Sequence, residues 1–331
     1  MTFGLFALVE NYHNDTCRAI KEQLDLVLLA DELGFENVWF GEHHFNAFSV
    51  VPDPLSMLAY IAAKTTRIRL GAAGYLAPFY HSVRLAESLA TLDHLSGGRV
   101  DAGFAKGGFA PDTKHLLKSE ADLRALMIET IDALELLLYQ EATYKGEFIK
   151  LDGVSIEPKS LQEEIPFFIA TFATKATIEF AANRGYGLLM SQGASLEDCI
   201  NAQEIYFSVA GFYPKMVIMR VLYVDSSDEL NDELLVSTDY FIKCMRAVMR
   251  DQKQPLFDEV EYERLLKERE GFFDGEAFVK NAIYGTPAKC LAELKKYDEA
   301  IKNLQIAFNP ASMDHSKNLQ MLKSIAQEVG N

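Results

Sequence analysis

The stretch FGLFALVENYHNDTCRAIKEQLDLVLLADELGFENVWFG, residues 3–41, joins two apolar runs through an amphipathic segment. Phe3–Val9 is predicted to be a strand, Thr16–Leu33 a helix, and Glu36–Gly41 a second strand. The strand segments are apolar with little alternation, which is typical of parallel strands covered on both faces. This stretch therefore predicts one β/α unit followed by the strand of the next.

The same alternation continues along the chain and gives eight strand–helix units. Further strands are predicted at residues 68–75, 99–104, 167–170, 187–191, 216–224 and 304–308. Such alternation supports either a closed barrel or a doubly wound sheet, and eight units favour the barrel. We predict an α/β fold, a (β/α)8 TIM barrel with insertions, as one domain over residues 1–331. The insertions are expected at about 140–165, as a hairpin and loop, and at about 251–280.

Composition and charge exclude several classes of function. The 331 residues include 32 Lys and Arg against 48 Asp and Glu, a net charge of −16, which disfavours binding to nucleic acid or anionic membranes. The four cysteines form no C-x-x-C pair, so neither structural zinc nor a dithiol couple is expected. The sequence has no signal-peptide pattern and no apolar run of the roughly 18 residues that a membrane span needs. A cytoplasmic protein is expected.

The second predicted strand ends in Trp39-Phe-Gly-Glu-His-His44, three ionisable side chains where a barrel places its chemistry. Neighbouring strand residues point to opposite faces, so His43 and His44 cannot easily share a metal ion, and no metal site is predicted. Two interpretations stay open. Glu42 and one histidine bond each other or the backbone, or one imidazole acts as an acid, a base or a hydrogen-bonding group.

Two other strand ends are rich in small residues. Gly71-Ala-Ala-Gly-Tyr75 leaves room for a flat group against the backbone, although close packing would explain it equally well. Gly103-Phe-Ala-Lys-Gly-Gly108 suits a phosphate, because the backbone can approach it and the lysine carries a positive charge. Arg124 could add a bidentate contact. Taken alone, either basic residue could instead be a solvated surface charge.

The fifth and sixth strands end in hydroxyl residues. Thr171, Thr174 and Thr177 surround a predicted helix start, where free N–H groups and the helix dipole favour an anion. An ordinary threonine N-cap is the alternative. The sixth strand ends at Ser191-Gln192.

Several of these motifs together resemble the bacterial luciferase-like monooxygenases, and most closely the catalytic luciferase subunit. They are Glu42-His43-His44-Phe45, the run from His81-x-x-Arg84 through Leu92-Asp93-x-Leu95-Ser96-x-Gly98-Arg99, and Gly285-Thr-Pro287. The likeness spans nearly the whole chain in matching order. It implies a barrel that binds reduced flavin mononucleotide (FMN), which reacts with O2 to oxidise a small organic substrate, with a separate flavin reductase as the source of reduced FMN.

The resemblance also implies roles for individual residues. His43 matches a histidine beside the flavin, and His44 is the second catalytic candidate. Ala73 and Gly74 match a small pair, joined by a non-proline cis peptide, on which the flavin ring rests. The other implied cofactor residues are Lys106, Arg124, Thr174 and Thr177 around the phosphate, Ser191 near the ring, and Ala170, for which only cofactor binding is implied. A lid at about 251–280 and a homodimer formed through the helices around 53–64 and 82–95 are further implications.

The sequence departs from the family pattern at two positions. Ala105 stands where light-emitting subunits carry a cysteine, and Ser82 stands where the family has a proline. The first change touches the flavin-ring site, so light emission is not expected. A deazaflavin-dependent dehydrogenase or reductase of the same superfamily, or a non-catalytic flavin-binding protein, remains an alternative, and the substrate is open.

Overall fold

The computed structural model describes residues 1–117, 121–250 and 275–329. The strands are β1 (Thr2–Ala7), β2 (Asn37–Phe40), β3 (Arg69–Leu76), β4 (Val100–Ala105), β5 (Ala142–Lys145), β6 (Lys150–Val154), β7 (Phe167–Thr171), β8 (Gly187–Met190), β9 (Met216–Val224), β10 (Ile283–Gly285) and β11 (Leu304–Pro310). The helices are α1 (Thr16–Leu33), α2 (Pro54–Ala62), α3 (Ser82–Ser96), α4 (Ala110–Leu116), α5 (Leu123–Tyr139), α6 (Lys175–Arg184), α7 (Leu196–Ala210), α8 (Asp232–Arg250), α9 (Gly275–Lys280), α10 (Pro287–Ala300) and α11 (His315–Val329).

Eight parallel strands close into a barrel in the order β1, β2, β3, β4, β7, β8, β9 and β11, and β11 returns to β1. The strand residues are mostly buried, and every residue of β2 and β9 is. Such strands need cover on both faces, which side chains supply inside the barrel and helices outside it. The predicted TIM barrel is confirmed.

Local signals in the sequence set the ends of the helices. The Asp15 side chain accepts a hydrogen bond from the Arg18 N–H at the start of α1, a cap that stabilises a helix by about 1 kcal/mol. Gly34 ends α1 with φ +81°, a left-handed conformation that glycine adopts without a steric penalty. Ser195 and Asp198 form a reciprocal capping box at the start of α7.

A polar layer crosses the barrel near the N-terminal ends of the strands. Asn37 donates a hydrogen bond to the fully buried carboxylate of Asp101, which also pairs with the Arg69 guanidinium at 2.7 Å. The Gln305 amide accepts a hydrogen bond from the Trp39 indole at 2.9 Å and donates one to Asn37 at 2.7 Å. These bonds satisfy polar groups that would be costly to bury alone, and they close the barrel on the side away from the strand C-termini.

The structure differs from the expected element order at three short elements and at the start of one helix. Helices α4 and α9 and strand β10 were not predicted, because seven, six and three residues are too few to establish a periodicity. Helix α8 begins at Asp232, not near residue 227. Within the 140–165 segment, where a hairpin was expected, strands β5 and β6 form an antiparallel pair. Of the expected lid at 251–280, residues 251–274 lie outside the described ranges.

Candidate active site

The Glu42-His43-His44 run follows β2 at the C-terminal rim of the barrel. The Glu42 side chain is almost fully buried, and one of its oxygens accepts hydrogen bonds from the Leu76 N–H at 3.1 Å and the Tyr80 hydroxyl at 2.8 Å. The other oxygen pairs with His44 Nε2 at 2.9 Å. This hydrogen bond raises the pKa of His44 above its usual value, against the opposing effect of partial burial. Glu42 therefore favours a protonated His44.

His43 has different surroundings. Its Nδ1 lies 2.6 Å from the Ser49 hydroxyl, which itself donates to the Leu8 carbonyl at 2.6 Å. Because the single hydroxyl hydrogen is used on Leu8, Ser49 can only accept from His43, so the proton of the neutral ring is on Nδ1. Burial, and to a lesser extent the charge of His44, lowers the pKa of His43 to about 4. At neutral pH the ring therefore presents Nε2 as an unprotonated acceptor, and no described residue bonds it.

The small pair at the end of β3 lies against the backbone of β4. The Ala73–Gly74 peptide bond is cis, the geometry that the family resemblance implies for this pair. A Cβ added at Gly74 would come within 2.8–2.9 Å of backbone atoms of Phe104 and Gly103. A side chain is thus excluded at position 74 by contact, while Ala73 is half-buried at the rim.

The predicted phosphate residues of α5 and α6 are brought together. Arg124, near the start of α5, donates from Nη1 to the Thr177 hydroxyl at 3.0 Å and from Nη2 to the carbonyl of Ala176 at 2.7 Å. Thr174 is the N-cap of α6, and its side chain makes no capping hydrogen bond. The first N–H groups of α6 therefore lie beside a guanidinium, the arrangement in which an anion is most stable.

Lys106 follows β4 and is exposed. Asp122, the N-cap of α5, accepts hydrogen bonds from the backbone N–H groups of Ala125 and Arg124, and these bonds are the main cause of its lowered pKa. The charges of Lys106 and Arg124 lower the pKa of Asp122 further. Lys106 thus lies near the start of α5, in the same region as Arg124.

Ala170 and Ser191 are on neighbouring strand ends. Ala170 pairs in register with Leu189 in the β7–β8 ladder, and Ser191 follows β8, both half-buried. Buried Arg220 of β9 donates to the carbonyls of Ser191 at 3.3 Å and Ala194 at 2.6 Å. Arg220 thereby fixes the turn that carries Ser191. No local pattern in the sequence indicated this contact, because 29 residues separate the two partners.

The predictions also missed Asp112 of α4. Its side chain is fully buried, and neither carboxyl oxygen has a hydrogen-bond partner among the described residues. Burial raises its pKa to about 6, with nearby His44 lowering it and Glu42 raising it further. The buried Tyr75 hydroxyl at the end of β3 likewise has no hydrogen-bond partner in the described part of the chain. Unpaired buried polar groups are costly, and they are characteristic of sites that complete their contacts with a ligand.

The described residues contain no group of three or more His, Cys, Asp or Glu side chains arranged to hold a metal ion. Nor is any helix within the described ranges long and apolar enough to cross a membrane.

Comparison with known proteins identifies the family and supports the fold. The sequence model of luciferase-like monooxygenases matches residues 1–302. The oxygenase component of a flavin-dependent trigonelline monooxygenase from Acinetobacter baylyi is 26% identical over 321 residues, 90% of this chain and 86% of the relative. Among solved structures, monooxygenase RslO1 from Streptomyces bottropensis is 26% identical, with a TM-score of 0.79 over 99% of this chain and 98% of its own.

A second solved structure shares the fold with lower sequence identity. It is an F420-dependent secondary alcohol dehydrogenase in complex with an F420–acetone adduct, 19% identical, with a TM-score of 0.76 over 99% of this chain and 98% of its own. The family match covers most of the chain and is supported by relatives of nearly full length. The protein is therefore an oxidoreductase that belongs to the luciferase-like monooxygenase family.

Proposed function

We propose that the protein is the oxygenase component of a two-component monooxygenase, which uses reduced FMN and O2 to oxidise a small organic substrate. The reduced FMN would come from a separate reductase. The observation that carries the proposal is the contact between Arg124 and the start of α6, on the same rim as a neutral His43 and the Ala73–Gly74 pair.

The chain's own residues fit such a cofactor. The Arg124 guanidinium, the Lys106 ammonium and the uncapped N–H groups after Thr174 would hold the phosphate, and Thr177 would orient Arg124. Charge-assisted hydrogen bonds of this kind are worth about 1.5–3 kcal/mol each. They would explain how a protein with a net charge of −16 binds an anion at one local site.

The ring end of the cofactor would meet Ala73–Gly74, Ala170 and Ser191. Reduced flavin supplies the electrons that activate O2, and the protein supplies position and protection from water. His43 Nε2 would accept a hydrogen bond or a proton at the reacting atoms, because its ring is neutral and fixed by Ser49. His44 is held by Glu42 and would act through its positive charge rather than as the base.

The main competitor is a dehydrogenase or reductase of the same superfamily that uses a deazaflavin. The same phosphate contacts would serve both cofactors, so binding and oxygen chemistry have to be measured together. A non-catalytic flavin-binding protein would bind cofactor and oxidise nothing.

The test has two stages. Anaerobic titration should show that photoreduced FMN binds more tightly than reduced riboflavin or reduced deazaflavin. Oxygen consumption is then followed with photoreduced FMN and a panel of amines, aldehydes, sulfonates and aromatic compounds, with 18O2 to trace oxygen into product. Label from 18O2 in one product supports the monooxygenase. Preferred binding of the deazaflavin with no oxygen uptake would replace it with the dehydrogenase, and tight FMN binding without any product would favour the binding protein.

We also propose a homodimer through the helices around 53–64 and 82–95. Tyr60 of α2 and Leu95 of α3 expose 53% and 63% of their surface and would supply apolar contacts to such an interface. Light scattering at micromolar concentration should give twice the mass of the chain. A mass of 37.1 kDa would contradict the proposal.

A further inference from the structure

The peptide group between Leu8 and Val9, just beyond the end of β1, is held at both of its polar atoms. Its carbonyl, that of Leu8, accepts the hydroxyl hydrogen of Ser49 at 2.6 Å, and Ser49 in turn accepts from His43. Its N–H, that of Val9, donates to the side-chain oxygen of Gln23 in α1 at 3.3 Å. Gln23 and His43 are therefore linked through one peptide group and one hydroxyl.

The backbone at Val9 has an unfavourable conformation. Its φ is +52°, in the left-handed region, where a β-branched side chain is a steric outlier. Val9 is fully buried, and its carbonyl accepts from the Val50 N–H at 3.1 Å. Such a conformation persists only where the surrounding contacts fix it, and it occurs most often at functional sites. On the N–H side of Val9 that contact is Gln23, which is itself buried.

Reversal of this peptide group would relieve the strain and change the hydrogen bonds of His43. A rotation of the peptide plane by about 180° takes the φ of Val9 from +52° to about −130°, a value typical of β-strands. The Val9 N–H would then point toward Ser49 in place of the Leu8 carbonyl. Ser49 would accept from Val9 and donate its single hydrogen to His43 Nδ1. The neutral ring would release its proton from Nδ1 and take up one from solvent at Nε2.

We propose that Gln23 is a positioning residue that sets the tautomer of His43. By accepting the Val9 N–H, it holds the peptide group in the orientation that gives the Ser49 hydroxyl an acceptor, and so keeps the His43 proton on Nδ1. Nε2 is then left as the acceptor that the proposed monooxygenase uses. The proposal rests on the proposed function for that use, whereas the chain of hydrogen bonds does not.

The test replaces Gln23 with methionine, which has a similar size and no oxygen to accept the Val9 N–H. An unpaired buried N–H is costly, and relief of the strained φ favours reversal by a factor of about five or more. In 15N NMR of the flavin-free, histidine-labelled full chain, the His43 proton should lie mainly on Nδ1 in the wild type and mainly on Nε2 in Gln23→Met. Gln23→Glu at pH 8 keeps an acceptor and should keep the wild-type tautomer. The spectrum of His43→Ala assigns the signal.

Two further variants separate this effect from a loss of packing. Gln203→Met makes the same change at another buried glutamine, on α7, whose side chain bonds backbone groups near the end of α10. It should leave the His43 tautomer unchanged. Val9→Gly removes the steric penalty of the positive φ, so adding it to Gln23→Met should return part of the population to the Nδ1–H tautomer. A purely structural role of Gln23 would show no such rescue.

Other outcomes overturn the proposal. An unchanged tautomer in folded Gln23→Met would mean that Gln23 does not control the peptide group, as when a water molecule replaces its oxygen. The same change of tautomer in Gln203→Met would attribute the effect to general loosening of the protein. If Gln23→Met does not fold, Gln23→Lys takes its place, because a side chain that only donates suits the reversed Leu8 carbonyl and should also give Nε2–H. An Nδ1–H ring in that variant would contradict the proposal equally.

The spectra need neither flavin nor oxygen, so the two proposals can fail separately. A switch of tautomer in a protein that does not bind FMN would refute the proposed function and leave the role of Gln23 in place. Label from 18O2 in a product of the wild type, together with an unchanged tautomer in Gln23→Met, would do the reverse.

Discussion

Ser49→Ala is the sharpest test of how His43 is prepared for chemistry. Ser49 is fully buried and accepts the Nδ1 proton of His43 while donating to Leu8. The alanine variant removes the acceptor and leaves both groups without a partner. It should lower the free energy of unfolding by about 1–3 kcal/mol, the cost of unsatisfied buried polar groups.

The effect on chemistry should be smaller than that of removing the ring. One neutral hydrogen bond contributes about 0.5–1.5 kcal/mol, so it favours the Nδ1–H tautomer by roughly two- to twelvefold. Losing it should therefore reduce coupled oxidation by no more than about tenfold. His43→Ala removes the acceptor itself and should reduce coupled oxidation by about 10²–10⁴-fold while FMN still binds. In both variants oxygen should still be consumed, with hydrogen peroxide released in place of product.

The assay measures product formed per O2 consumed, with hydrogen peroxide determined separately, and 15N NMR of the labelled ring reports the tautomer. In the wild type, His43 should show no ionisation between pH 5 and 9, because its pKa is lowered to about 4 and the ring stays neutral above that value. His44→Gln is the neighbour control and should leave the His43 tautomer unchanged. An unchanged tautomer and full coupling in Ser49→Ala, together with full coupling in His43→Ala, would refute the reasoning and leave His43 a structural residue.

Two further predictions concern charge. Lys106→Ala and Arg124→Ala should each weaken binding of reduced FMN by about 10- to 150-fold and leave riboflavin binding unchanged, since each variant loses a charge-assisted contact to the phosphate. Anaerobic titration measures both affinities. Equal losses of affinity for the two ligands would mean that the substituted residue does not bind the phosphate. The free energy of unfolding of Asp112→Asn should rise relative to that of the wild type as the pH rises. In the wild type the buried Asp112 has a folded pKa of about 6 and an unfolded pKa near 3.9, so the wild-type protein loses stability as the pH rises through that interval. Urea unfolding of the flavin-free protein should show the difference between variant and wild type growing by about 2 kcal/mol between pH 4.5 and 7.5. A constant difference would mean that Asp112 is not buried as an unpaired acid.

The fold could be predicted because its signals are local. Each barrel strand is a short apolar run, and the helices other than the short α4 and α9 are stretches of nine or more residues whose spacing is visible in the sequence. The rule that barrel chemistry lies at strand C-termini then indicated where to look. The family resemblance assigned Arg124 and Thr177, 53 residues apart, to one phosphate site, and the two side chains are in contact.

What the sequence could not supply were the partners of these residues. The catalytic candidate at β2 depends on Ser49, and the turn at Ser191 depends on Arg220 of another strand. Asp112 stands out only through burial without a partner, which no local pattern encodes. Hydrogen-bond partners and desolvation are set by tertiary packing. Residue type and spacing therefore predicted which residues form the site better than they predicted the protonation states of those residues.

His43 and His44 show this difference most clearly. The two imidazoles are adjacent in the chain, yet Glu42 raises the pKa of one while burial lowers the pKa of the other to about 4. Environments that move two titratable groups apart assign them different roles, and here they give an acceptor at His43 and a positive charge at His44. Glu42→Gln should therefore act mainly on His44, because a neutral amide could no longer stabilise the imidazolium, and a less charged His44 would in turn depress the pKa of His43 less. The choice between the two histidines, which the sequence leaves open, thus depends on a carboxylate that contacts only one of them.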